Sequence, residues 1–232
     1  MMAVRAVAFD LDDTLYDEMT YVESGFRAVA LFLQREKGIP ADEMFEKMMR
    51  ELAVRGRGRV FDEALAAYGM RTAALVRRCV GVYRSHKPGI RLYGDAVRCL
   101  DRLARAGIPV YIVTDGNKHV QRAKLEALGL YGDPRVKKCY ITRRYGIRHE
   151  KPSPYCFLHI CRLEKAAPEE VAYVGDNPHK DFVGIKPLGF RTVRILRGGH
   201  AGIRKPERYE AELEIRSLDE FDISMFSNGN GK

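Results

Sequence analysis

The stretch "VRAVAFDLDDTLYD", residues 4–17, decides how the rest of the chain is read. Val4, Val7, Ala8 and Phe9 form an apolar run suited to a buried strand, and Asp10, Asp12 and Asp13 follow at once. Carboxylates this close repel, and each is costly to bury without a compensating partner. A core strand that runs straight into acid predicts a site where positive charge meets it.

Downstream, residues 18–87 carry helical periodicity throughout. Val22, Phe26, Val29, Ala30 and Leu33 recur at three- and four-residue spacing, and Gly38 ends that helix. In "ADEMFEKMMREL" the expected apolar face is Phe45, Met48, Met49 and Leu52. "VFDEALAAYG" and "RTAALVRRCVGVYRSH" complete a four-helix insert, closed by Pro88. The apolar stripes read as bundle core.

The texture then alternates. "GDAVRCLDRLARAG", "NKHVQRAKLEALG", "SPYCFLHICRLEK" and "HKDFVGIKPLG" read as helices. "IPVYIVTDG", "VKKCYITRR", "EVAYVGDN" and "FRTVRIL" read as strands between them. Continuous apolar strands alternating with helices predict an α/β fold: a Rossmann-like parallel sheet with helices on both faces. The expected domains are a discontinuous α/β core, residues 1–17 and 88–232, and a helical cap, residues 18–87. The terminal "SNGNGK" is expected to fray. Ligands of such sheets bind beyond the carboxyl ends of the strands, near the switch point. Three expected strand ends carry polar clusters there: Asp10/Asp12, Thr114/Asp115 and Asp176/Asn177.

Composition narrows the classes. With 232 residues, 46% apolar and 31% charged, the chain has the make-up of a globular protein with one sizeable core. No apolar run reaches the roughly 20 residues of a membrane span, and the N-terminus lacks a secretory pattern, so a cytoplasmic location is expected. Five cysteines, an odd number without a CxxC pair, argue against a disulfide framework or a zinc site. The net charge of +9 is scattered over "RGRGR", "RR", "KK" and "RR" with no recognition motif. It reads as a solvated surface that favours small anions, not as a nucleic-acid interface.

Four elements occur in fixed order: Asp10-Leu11-Asp12-Asp13-Thr14 after a strand, Thr114 ending "VYIVT", Lys151 in "HEKPSP", and "GDNPHKD" with Asp176 and Asp181. From residue 4 to about residue 200 the chain resembles the haloacid dehalogenase-like (HAD) superfamily, in its phosphatase branch with an inserted helical cap of type C1 (subfamily I). The resemblance implies that Asp10 is the nucleophile, forming an aspartyl-phosphate, and that Asp12 protonates the leaving oxygen and then activates water. Mg²⁺ is the expected cofactor, held by Asp10, Asp176 and the backbone carbonyl of Asp12. Lys151, Thr114 and the amides of Asp115 and Gly116 would hold phosphate oxygens. Asp181 has a supporting role, orienting Lys151 or a metal-bound water. Asp13 is read as structural, and Asn117, His119 and His179 as capping or solvated.

Halide-removing members of the superfamily lack the second acid, so Asp12 favours phosphoryl transfer. The cap implies a small phosphorylated metabolite as substrate, with Arg55, Arg57 or Arg59 of "VRGRGRV" as candidate contacts to an acidic part of it. Two further readings stay open at this level. A phosphomutase uses the same pair of acids. A non-catalytic module binding nucleic acid or a partner protein would fit the positive charge, although no charged motif residue is missing.

Overall fold

The computed structural model describes residues 4–226, so the "SNGNGK" terminus lies outside the described residues. The chain divides into two compact units: Met19–Ile90, and the residues up to Glu18 together with those from Arg91 onward.

The second of these is built on a parallel sheet, six-stranded among the described residues. Its strands are β1 (Ala6–Phe9), β2 (Val110–Thr114), β3 (Val136–Ile141), β4 (Val171–Gly175), β5 (Arg191–Ile195) and β6 (Leu213–Ile215). Their spatial order is β3-β2-β1-β4-β5-β6. The fully buried β1 lies between β2 and β4, where the order reverses, with Phe9 opposite Ile112 on one side and Val174 on the other. The carboxyl ends of these three strands therefore share one edge at the switch point.

Side chains alternate across the strands. Ala6, Ala8, Tyr111, Val113 and Tyr173 form one core with Phe157 and Ile160 of α7 (Tyr155–Glu164). Phe9 points the other way, its ring 6.0 Å from that of Phe221. Helices α5 (Gly94–Arg105) and α6 (Lys118–Ala127) pack on β2 and β3 respectively. Each fully buried Phe or Leu in such a core contributes about 1.5–3 kcal/mol.

Two expectations for this unit need correction. "HKDFVGIKPLG" forms no α-helix; only Lys186–Leu188 makes a 3₁₀ turn. Asp181 turns inward and accepts the Asn177 amide at 2.8 Å, and Pro187 cannot donate a helical hydrogen bond. The expected strand through Arg144 stops at Ile141, and Thr142–Arg144 coils into a 3₁₀ turn. The three-residue edge strand β6 is too short to leave a periodic signal, and the sequence does not announce it.

The helical unit holds α1 (Glu18–Lys37) beyond its first residue, α2 (Ala41–Arg55), α3 (Val60–Ala66) and α4 (Ala73–Ser85). Its core gathers Phe26 and Leu33, Met44 and Met48, Leu65 and Cys79. Of the expected α2 face, Met48 is buried and Phe45, Met49 and Leu52 pack against the core partly buried, while Met44, outside that set, is buried with Met48. The Arg27 guanidinium covers the Phe45 ring at 4.2 Å, which accounts for that residue's place at the margin. Among the described residues no helix is long and apolar enough to cross a membrane.

Candidate active site

Asp10 follows β1, and its amide donates to the Val174 carbonyl at 2.9 Å, so the ladder delivers its carboxylate to the switch-point edge. There the buried Lys151 ammonium lies 2.9 Å from Asp10 Oδ1 and 2.8 Å from Asp181 Oδ1. It also donates to the Tyr173 hydroxyl at 2.8 Å. Asp181 additionally accepts the Tyr173 hydroxyl at 3.2 Å. Asp176 follows β4, and His200 Nδ1 lies 2.9 Å from its Oδ2. The His200 loop is itself anchored by the fully buried Arg194, which donates to the His200 carbonyl at 2.8 Å and pairs with Glu210 at 2.6 Å.

Asp10, Asp176 and Asp181 bring carboxylate oxygens within 4.8 Å of one another, all three buried. Burial pushes Asp10 up to about 8; Lys151 opposes the rise while Asp181 and Asp176 add to it. Burial likewise raises Asp176 to about 6 against the hydrogen bond from His200. Despite burial, Lys151 is held well above the ordinary lysine range by Asp10 and Asp181, so it is an ammonium. Lys151 and the more distant Lys180 only partly offset the three crowded carboxylates, and Asp10 and Asp176 rise accordingly. An all-oxygen donor set with excess negative charge fits a hard divalent cation such as Mg²⁺.

The end of β2 supplies a different set of groups. Thr114 is buried and its Oγ1 has no hydrogen-bond partner. Gly116 sits at φ 116°, a conformation that L side chains rarely adopt. Its amide donates to Glu150 Oε1 at 3.2 Å, so a carboxylate already occupies one of the expected phosphate donors. The Asp115 side chain accepts from the Thr142 hydroxyl at 2.7 Å, the Lys151 amide at 3.1 Å and Lys180 Nζ at 3.0 Å. Asp115 thus ties down the loop that carries Lys151. Burial would raise its carboxyl, but Lys151 and Lys180 outweigh it and hold it low.

Asp12 turns to partners of its own. Its carboxylate accepts from the Tyr16 hydroxyl, from Gln121 Nε2 at 2.9 Å and from Lys124 Nζ at 2.7 Å. Burial works to raise Asp12, yet the Lys124 charge and these hydrogen bonds bring it below the ordinary aspartate value. Asp13 accepts the amides of Glu18 at 2.9 Å and Gly199 at 3.0 Å, holding two loops together. Asn117 caps α6 by accepting from the His119 and Val120 amides. His119 and His179 are exposed.

Residues 4–189 match the family model described as haloacid dehalogenase-like hydrolase. The chain belongs to that family. It is 34% identical over 203 residues to glyceraldehyde 3-phosphate phosphatase of Methanopyrus kandleri, covering 84% of this chain and 85% of the relative. It is 29% identical over 233 residues to (S)-2-haloacid dehalogenase 4A of Burkholderia cepacia, covering 94% and 93%. Among solved structures, the HAD phosphatase from Thermococcus onnurineus matches with a TM-score of 0.59 and 28% identity, over 97% of this chain and 98% of that one. Relatives bear both phosphatase and dehalogenase names, so the choice of reaction rests on the site.

This hydrolase brings Asp10, Lys151, Asp176 and Asp181 into one cluster. Arg55, Arg57 and Arg59 belong to the helical unit, around the α2–α3 turn. Arg55 pairs with Glu51 at 3.1 Å and Arg59 with Glu63 at 3.2 Å. Several partners had no signal strong enough to mark them: Tyr16, Gln121, Lys124, Tyr173, Lys180 and His200. The clearest clue lay in α6, where Gln121 and Lys124 sit three apart, a spacing that puts both on one helix face.

Proposed function

We propose that this hydrolase is a Mg²⁺-dependent phosphatase of small phosphorylated metabolites, acting through an aspartyl-phosphate on Asp10. The observation that carries the reading is the cluster of Asp10, Lys151, Asp176 and Asp181 beside the unpartnered, buried Thr114 hydroxyl. A phosphate monoester needs both features: counter-charge for its oxygens and a donor waiting for one of them. Asp12 separates the ester from the halide, because an alkoxide leaves only with a proton and a halide needs none. The phosphatase relative supports the same choice.

Asp10, Asp176 and the Asp12 carbonyl would hold the ion. Bound there, Mg²⁺ supplies positive charge that lets a carboxylate approach an anionic phosphorus. Lys151 neutralises the phosphoryl oxygens, with Asp181 and Tyr173 fixing its ammonium. Thr114 and, once Glu150 yields it, the Gly116 amide donate to the same oxygens. As Asp10 bonds to phosphorus, the ester P–O bond breaks and its electron pair leaves on the alkoxide oxygen, which takes a proton from Asp12. Water then gives a proton to Asp12 and attacks phosphorus, and the bond to Asp10 breaks. Lys124 holds Asp12 ionised, ready for that second step. For the first step Asp12 must therefore take up a proton as the substrate binds, and the substrate can bring it, because monoesters ionise a second time near about pH 6. To the helical unit we assign a cap role in substrate selection, with Arg55, Arg57 and Arg59 as its candidate contacts.

A panel of phosphorylated metabolites, glyceraldehyde 3-phosphate among them, assayed with Mg²⁺ for free phosphate and for isomer formation tests the reading. Free phosphate is expected from the wild type, and loss of turnover with retained fold from Asp10→Asn and Asp12→Asn. Full activity in Asp10→Asn would remove the nucleophile, and isomer formation without phosphate release would make the enzyme a mutase.

A further inference from the structure

We infer that Gln121, Lys124 and Tyr16 are positioning residues, forming a clamp that aims the Asp12 carboxylate at the leaving oxygen. The inference rests on the phosphatase reading and extends it to side chains outside the cluster around Lys151.

The geometry is specific. Lys124 is 3% exposed although it is a lysine, in the last turn of α6, and its Nζ meets Asp12 Oδ1 at 2.7 Å. The Tyr16 hydroxyl donates to the same oxygen from one turn further along the chain. Gln121, 4% exposed, takes the other oxygen at 2.9 Å, and the same Nε2 donates to the Asp115 carbonyl at 2.5 Å. Gln121 therefore links the loop after β1 to the loop after β2. Asp12 lies beyond the end of β1, joined there to Tyr16 by an isolated bridge, and its side chain retains 20% exposure. Three donors converging on both oxygens remove the carboxylate's freedom to turn toward solvent. Burying a lysine and a glutamine costs desolvation of both, which a decorative surface pair would not justify.

The clamp acts on one bond. When the ester P–O bond breaks, the electron pair stays on the leaving oxygen and a proton must reach it from Asp12. A misaimed carboxyl slows that transfer for an alkoxide but matters little for a leaving group that departs unprotonated. General acid catalysis contributes about 10²–10⁴-fold, and that range bounds the effect.

The test measures kcat/KM for Gln121→Leu, Lys124→Met and Tyr16→Phe on two probes: the best alkyl phosphate from the panel, and 4-nitrophenyl phosphate, whose leaving group needs no proton. Thermal melts monitor fold, and Tyr16→Phe, which loses only a hydroxyl, serves if the other two melt low. Expected are losses of about tenfold or more on the alkyl ester with little change on the nitrophenyl ester. Each loss should also largely vanish in an Asp12→Asn background, because the group being aimed is already gone. Equal losses on both esters, or losses that add fully to Asp12→Asn, would overturn the clamp. A wild type that hydrolyses neither ester would instead overturn the phosphatase reading, and the clamp with it.

Discussion

Asp115→Ala is the variant that most sharply separates a tether from a phosphate ligand. The sequence reading values Asp115 for its backbone amide, yet its side chain receives three donors. The cost of truncation can be built from them. Thr142 Oγ1 keeps a second acceptor, the Thr114 carbonyl at 3.3 Å, so little is lost there. The Lys180 side chain is 33% exposed and regains water, which confines that pair to about 0.5–1 kcal/mol. The Lys151 amide is left without its acceptor, at about 1–3 kcal/mol. A total of about 1.5–4 kcal/mol is expected near neutral pH.

The pH dependence has a definite sign. Asp115 is held below its unfolded value of 3.8, so its contribution is full above that value and disappears as the pH falls through the lower folded value. The difference between wild type and Asp115→Ala should be flat from about pH 5 to 8 and shrink in acid below about pH 4. The chain has no tryptophan, so urea unfolding is best followed by far-UV circular dichroism. Asp115→Asn keeps the shape and one acceptor without the charge, and should lie between the two. Because Asp115 fixes the Lys151 backbone, kcat should fall in Asp115→Ala. A loss under about 1 kcal/mol at pH 7, or one that persists unchanged into acid, would refute the tether.

Two further outcomes follow from the same edge of the sheet. Mg²⁺ should raise the unfolding midpoint of the wild type, by about 2.7 kcal/mol at a hundredfold excess over its dissociation constant, and Asp176→Asn should abolish most of that gain; calorimetry with Mg²⁺ or a chelator checks it. Gly184→Ala should destabilise by at least about 1–3 kcal/mol, because its Cβ would stand 1.7 Å from the Pro152 carbonyl oxygen beside Lys151; an unchanged melting temperature would show that the two segments part easily.

The fold class was legible because burial on both faces leaves unbroken apolar strands, and the acids that end them cannot be explained as core. What stayed hidden was local competition with that pattern. "HKDFVGIKPLG" has the apolar spacing of a helix, since Phe182 and Ile185 are indeed buried, but the inward turn of Asp181 and the ring of Pro187 prevent one. Lys180 then reads as a surface lysine, when it faces Asp115. His200 lies in a glycine-rich loop, and distant partners, Arg194 on β5 and Asp13 after β1, make that loop a fixed part of the site.

Asp10 and Asp12 show the deeper limit. In sequence they are near-identical neighbours, two residues apart at the end of one strand. In the fold they are driven in opposite directions: Asp10 up to about 8 by burial among other carboxylates, Asp12 down by Lys124. A nucleophile must be ionised, so Asp10 in the proposed role requires the positive charge of a bound cation to reverse its rise, whereas Asp12 already stands ionised for the proposed water-activating step. The motif carries the pair of acids, but the difference between them comes from Lys151, Asp181 and Lys124, more than a hundred residues downstream. A motif that kept both aspartates while losing Lys124 would look unchanged in the first 20 residues, and its chemistry would not be the same.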